Sequence, residues 1–156
     1  MVINPKTLQK KQRKFLKDTI DYYSENVKRR CVTSSICAYS PYTISKEDIS
    51  EGCAIGRHLK PELKEKFDKL SNSSVKNLEI YNKLPTRLKS LTLDFLVSCQ
   101  DLHDDCRYWN NKGLSKSGKE IVENICKRYN LNSIITYNDI KSENKGDNKK
   151  QQSQRT

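Results

Sequence analysis

Glycine and proline are scarce in this chain, five and four in 156 residues, which excludes collagen-like and low-complexity classes. No apolar run approaches the roughly 18 residues that a bilayer helix requires, so no membrane partner is expected. The N-terminal stretch from Met1 to Lys17 is charged throughout and lacks the apolar segment of about 7–15 residues that marks a signal peptide. The expected setting is therefore cytoplasmic and reducing, with the six cysteines as thiols. Paired Cys-x2-Cys knuckles are missing, as are the lysine and hydroxyl of a phosphate-binding loop, so no motif here fixes an activity or a cofactor.

What the chain has in excess is positive charge, and it is unevenly placed. Residues 1–30 hold nine Lys/Arg against three Asp/Glu, residues 31–140 sixteen against fourteen, and residues 141–156 five against two. A nearly neutral middle is thus flanked by two basic ends, which would attract an acidic partner such as nucleic acid, a nucleotide or an acidic protein surface. The last segment, Lys141 to Thr156, has no large apolar residue and is expected to be a disordered basic tail.

Hydrophobic spacing predicts a mainly α, small single-domain protein over residues 1–140, with one irregular or short extended cysteine-bearing segment. From Lys6 to about Val27 the positions Leu8, Phe15, Ile20, Tyr23 and Val27 recur at helical spacing, interleaved with Lys10, Lys11, Arg13, Lys14 and Lys17. This is a basic amphipathic helix whose aromatic residues point to a core. Residues Arg30 to Thr43 read as extended or irregular, broken by Ser40-Pro41. Ser50 is a plausible N-cap for a short helix that would place Cys53 in its first turn. Pro61 opens a second amphipathic stretch through Leu63, Phe67 and Leu70. A long helix is predicted from Pro85 to Cys106 on the stripe Leu88, Leu91, Phe95, Cys99, Leu102 and Cys106. After a turn at Lys112-Gly113, Ser117 and Glu120 have capping-box spacing for a last helix on Ile121, Val122, Ile125, Cys126 and Tyr129, ended by Asn130. Ser133 to Tyr137 fits either a strand or a final helical turn.

Three chemical readings follow from these positions. Cys99, His103 and Cys106 share one helical face and could form part of a metal set with Cys37 or Cys53, but thiols on an apolar stripe ordinarily act as small hydrophobes, and no metal is expected. Cys53 at a helix N-terminus would have its thiolate stabilised, and with His103 as base and Asp104 orienting the imidazole it supplies the ingredients of a cysteine-dependent hydrolase or transferase. That chemistry requires Cys53 to be partly exposed and to alkylate faster than Cys99 and Cys106. Gly52 and Gly56 permit close backbone approach, and Arg57 with His58 could donate to an anionic ligand there. For the basic surface, the candidate contacts are Lys10, Lys11, Arg13, Lys14, Lys17, Lys28, Arg29 and Arg30.

Cys37-Ala38-Tyr39, then Gly52-Cys53-Ala54-Ile55-Gly56-Arg57-His58-Leu59, then Cys99-Gln100-Asp101-Leu102-His103-Asp104, together resemble a loose group of small uncharacterised phage and prophage proteins. Those carry a Cys-Ala-(Val/Ile)-Gly box and a downstream Leu-Gln-x-x-His-Asp helix. Cys99 stands where that helix usually has Leu, and Arg57 where many members have another cysteine. The resemblance implies a phage-like origin in a host cytoplasm, brings Cys53 and His103 under suspicion of being neighbours, and implies no activity. A binding accessory protein is the leading expectation, and the thiol enzyme is the alternative.

Overall fold

A computed structural model describes residues 4–30, 38–39, 52–70 and 74–135. Cys31, Cys37, Ser50, the end of the 133–137 segment and the basic tail lie outside the described residues. The basic stretch forms α1 (Pro5–Glu25), started by Asn4, whose side chain accepts the Lys6 N–H at 2.9 Å, and by Pro5 in the first turn. Asn26 leaves the helix in an extended conformation and caps the following 3-10 turn, Val27–Arg29, by accepting the Lys28 N–H. The buried face of α1 carries Gln12, Phe15, Leu16, Thr19, Ile20 and Tyr23. Leu8 and Val27, placed on the apolar stripe by spacing, are only half-buried, Leu8 near the start of α1 and Val27 past its end in the 3-10 turn.

Pro61 starts α2 (Pro61–Asp68), which buries Phe67 edge-on to Tyr39 with ring centroids 5.3 Å apart. A short helix that spacing did not reveal, α3 (Leu78–Lys83), is capped by Asn77 and buries only Ile80. The predicted single helix over Pro85–Cys106 is instead two, α4 (Thr86–Lys89) and α5 (Leu93–Asp104). They are separated at Thr92, whose φ of 73° lies in the left-handed region and ends helical propagation. The stripe survives the break, since Leu88, Leu91, Phe95, Cys99 and Leu102 are all buried. Gln12 of α1 reaches across to the interruption and donates to the Leu91 carbonyl at 2.9 Å. Cys106 leaves the stripe: α5 has already ended, and the residue is exposed in a 3-10 turn, Cys106–Tyr108.

A two-residue hairpin follows, β1 (Trp109–Asn110) pairing antiparallel with β2 (Gly113–Leu114) around Asn111-Lys112. The last helix, α6 (Lys116–Arg128), is capped by Ser115 rather than Ser117, its hydroxyl accepting the Gly118 N–H at 3.1 Å. Ser117 instead donates to the Arg107 carbonyl, as Ser115 also does. At the other end Asn130 adopts φ 53°, and the Leu131 N–H bonds back to the Cys126 carbonyl at 2.8 Å while Asn130 N–H bonds to Lys127, a left-handed C-terminal closure. Phe95 ties the layers together, edge-on to Phe15 of α1 at 6.2 Å and perpendicular to Tyr129 beyond α6 at 5.2 Å. Residues 131–135 form neither a strand nor a helical turn. No described helix is long and apolar enough to cross a membrane.

Candidate functional site

The Gly52–Leu59 box folds around the backbone of Tyr39. The Cys53 N–H donates to the Ala38 carbonyl at 3.0 Å, and the Tyr39 N–H is held by the Asp68 carboxylate at 2.7 Å. Gly52 has φ +109°, and a Cβ there would lie 2.0 Å from the Tyr39 carbonyl oxygen; at Gly56 the same oxygen would be 2.3 Å away. The two glycines therefore admit the protein's own chain, and the close approach expected for a ligand is already filled.

Cys53 sits in the turn before a single 3-10 turn, Gly56–His58, and not in the first turn of an α-helix. Three residues align too few peptide dipoles to act on a thiolate. Its side chain is 0% exposed, and its sulfur accepts the Gly56 N–H at 3.3 Å. The exposure that a nucleophilic role requires is absent.

His103 and Asp104 do form the expected pair, Nδ1 to Oδ1 at 2.7 Å, on the last turn of α5. The imidazole is 0% exposed, and burial pushes its pKa down, with Arg30 acting the same way and Asp104 opposing. A neutral ring donating from Nδ1 to the carboxylate follows. Tyr23 links this pair to the cysteine box: its ring lies 4.6 Å from that of His103, and its hydroxyl donates to the Gly52 carbonyl at 2.6 Å. The carbonyls ending α5 are also met by side chains, Leu102 by Trp109 Nε1 at 2.8 Å and His103 by Arg30. Cys99 is buried on the stripe, its thiol pKa raised by desolvation and the nearby Cys126, while Cys106 is exposed outside it. Among the described residues no three His, Cys, Asp or Glu side chains converge as a metal set would.

The basic residues divide by type. Arg57 lies over the Tyr22 ring at 4.2 Å and donates to the Asp18 carbonyl, fastening the box to α1. Arg29 binds Glu25 and the Tyr22 carbonyl, and Arg30 covers the Trp109 ring at 5.4 Å. Arg13 reaches the Asn132 and Ser133 carbonyls. The lysines are different: Lys10, Lys11, Lys14, Lys17 and Lys28 are exposed, with Lys14 and Lys17 making surface pairs to Asp18 and Asp21 at 2.8 and 2.5 Å.

His58 rests against Phe15, ring centroids 4.9 Å apart, and its Nε2 is buried without a hydrogen-bond partner among the described residues. Its pKa is lowered to about 4, first by burial and then by Arg57 and Arg87, with Asp18 opposing and Lys64 adding a smaller lowering. Its carbonyl accepts from the Arg87 guanidinium at 2.6 Å, which brings the start of α4 beside α2. Between them opens a cleft of about 600 Å³ lined by His58, Lys60, Leu63, Lys66, Pro85 and Arg87, with Glu62 as its one carboxylate. Of these only His58 was a candidate from sequence; Pro61 and Pro85, marking two helix starts, were the available signal for the walls. Comparison with protein-family models, curated proteins and solved structures found no match.

Proposed function

We propose that this chain is a non-enzymatic accessory protein of the phage type that binds an acidic partner, with nucleic acid as the partner best suited to its surface. The observation that carries this reading is the outer face of α1. Lys6, Lys10, Lys14 and Lys17 recur there at three- and four-residue spacing, all exposed, on the side opposite Phe15, Leu16 and Tyr23. Successive lysines four residues apart advance by about 6 Å along the axis, a row that suits the regular charges of a phosphate backbone. The Asp18 and Asp21 pairs do not remove this row from use, since exposed ion pairs of this kind contribute little and yield to a stronger anion.

Lys11 and Lys28 extend the exposed charge, whereas Arg13, Arg29, Arg30 and Arg57 support it from below by fixing α1 to its neighbours. Such binding reads no sequence, because lysine contacts to phosphate carry none. Fluorescence anisotropy with a labelled duplex and a labelled single strand tests it. Affinity is expected to fall steeply with salt, with a log–log slope of about −3 to −4 for four phosphates neutralised on a duplex. The double substitution Lys10→Glu/Lys14→Glu should abolish most of it. Affinity that is absent at low salt, or indifferent to salt, refutes the reading.

A further inference from the structure

We propose that the cleft between the start of α2 and the start of α4 is a binding site for a nucleoside monophosphate, the phosphate among Lys60, Lys66 and Arg87 and the base against Leu63 and Pro85. This site is separate from the lysine face of α1, none of whose lysines lines it. Three observations converge. The volume, about 600 Å³, lies within the range of roughly 300–1,000 Å³ typical of small-ligand sites. The lining combines three cations with a single carboxylate, Glu62, so an anion is favoured over a cation. Its remaining walls include Leu63 and Pro85, both apolar, which suits a planar aromatic body joined to a charged group and not a bare inorganic ion.

Arg87 fits the role of phosphate ligand. One guanidinium nitrogen is fixed on the His58 carbonyl at 2.6 Å, which orients the fork, and a guanidinium has five N–H donors in all. The cleft also holds a reporter. His58 faces Arg57 and Arg87 from its own turn and from α4, Lys64 from α2 and Asp18 from α1; burial first, and then these cations, disfavour its protonation. A phosphate placed in this cleft offsets those cations, so ligand binding raises the His58 pKa, while affinity weakens as the phosphate takes up its second proton at about pH 6, above the His58 titration. The chain contains only two histidines, and the other, His103, is enclosed beside Asp104 on α5, which provides an internal control.

The test uses the full chain and adenosine 5′-monophosphate, followed by calorimetry and by the imidazole proton resonances across a pH titration. The monophosphate is expected to bind at least about tenfold more tightly than adenosine, the change that a single lost charge-assisted contact produces. It should move the His58 titration to higher pH and leave His103 unmoved. Lys66→Glu and Lys60→Glu, both exposed positions, should each weaken binding about tenfold or more, while Lys10→Glu/Lys14→Glu leaves it unchanged. Competition then separates two sources of the same chemistry. Displacement by a 5′-phosphorylated oligothymidylate but not by its 5′-hydroxyl counterpart identifies the end of a strand; displacement by neither identifies free nucleotide. No detectable binding, equal affinity for adenosine, indifference to both cleft substitutions or an unmoved His58 each overturns the proposal. Because the α1 and cleft variants are scored separately, failure here is distinguishable from failure of the polyanion surface.

Discussion

Tyr23→Phe isolates one hydroxyl at the junction of three elements. The Tyr23 ring contacts Tyr22 at 4.9 Å, His103 at 4.6 Å and Trp109 at 6.0 Å, and phenylalanine keeps all three. What it removes is the 2.6 Å hydrogen bond to the Gly52 carbonyl, a fully buried link between α1 and the cysteine box across 29 residues of sequence. Losing a buried donor and leaving its acceptor with less compensation costs about 1–3 kcal/mol. For a domain of this size each 1 kcal/mol lowers the melting temperature by roughly 2–4 °C. Tyr23→Leu should cost more, because it also forfeits aromatic contacts worth about 0.5–1.5 kcal/mol each. Urea unfolding followed by far-ultraviolet circular dichroism measures both, and the midpoint should fall in the order wild type, Phe, Leu without a change in slope. A Tyr23→Phe midpoint indistinguishable from wild type would mean that the hydroxyl does not hold the box, and the linkage from His103 to Gly52 would be wrong.

Gly56→Ala places a methyl group 2.3 Å from the Tyr39 carbonyl oxygen and 2.8 Å from its Cα, both backbone atoms, so about 3 kcal/mol or more is expected to be lost in the same urea assay. Thr92→Gly should stabilise by up to about 1 kcal/mol, since φ 73° strains a β-branched residue and not glycine; a loss would place the helix break elsewhere. His58 has a folded pKa of about 4 against 6.5 unfolded, so its contribution is complete above pH 6.5 and is lost as pH falls toward 4. The loss is at most about 3 kcal/mol and has the same sign as that of His103; it is read as the difference between wild-type and His58→Gln stability profiles. Iodoacetamide mapped by mass spectrometry should label exposed Cys106 well before Cys53, Cys99 and Cys126, all buried, the reverse of the order expected from sequence.

The elements with strong periodicity were legible: Phe15, Ile20 and Tyr23 located α1, Pro61 and Phe67 located α2, and Val122, Ile125 and Cys126 located α6. The stripe from Leu88 to Leu102 was legible as well, but not its interruption, because a buried face can be continuous across a break in the helix that carries it. Thr92 gives no breaker signal of its own; what meets the buried Leu91 carbonyl freed at the break is Gln12, 79 residues away from it. The capping-box spacing of Ser117 and Glu120 placed the start of α6 at Ser117, whereas the hydroxyl that accepts the Gly118 N–H belongs to Ser115, and Ser117 turns to the Arg107 carbonyl ten residues back. α3 escaped notice because six residues burying one side chain have no period to read. In the site, the His103–Asp104 contact was local and therefore visible. The burial of Cys53 was not, since the box that carries it folds onto the Ala38–Tyr39 backbone, with the Cys53 N–H on the Ala38 carbonyl, a contact that no spacing rule encodes. The cleft depends on Arg87 reaching His58, a meeting of two segments 29 residues apart.

The division between arginine and lysine gives this surface two different tolerances to drift. An arginine-to-lysine change at 29, 30 or 57 conserves the net charge yet loses a planar group that lies on Tyr22 or Trp109 while donating to a carbonyl. The reverse change at Lys10, Lys14 or Lys17 also conserves charge, and it disturbs nothing beneath an exposed helix face. Across variants of this chain that keep the same isoelectric point, substitutions should therefore accumulate in one direction only, with the lysine positions free to interchange and the arginine positions held. A count of positive charge treats the two as equal, whereas the fold makes one group the fastening of the surface and the other its outward face.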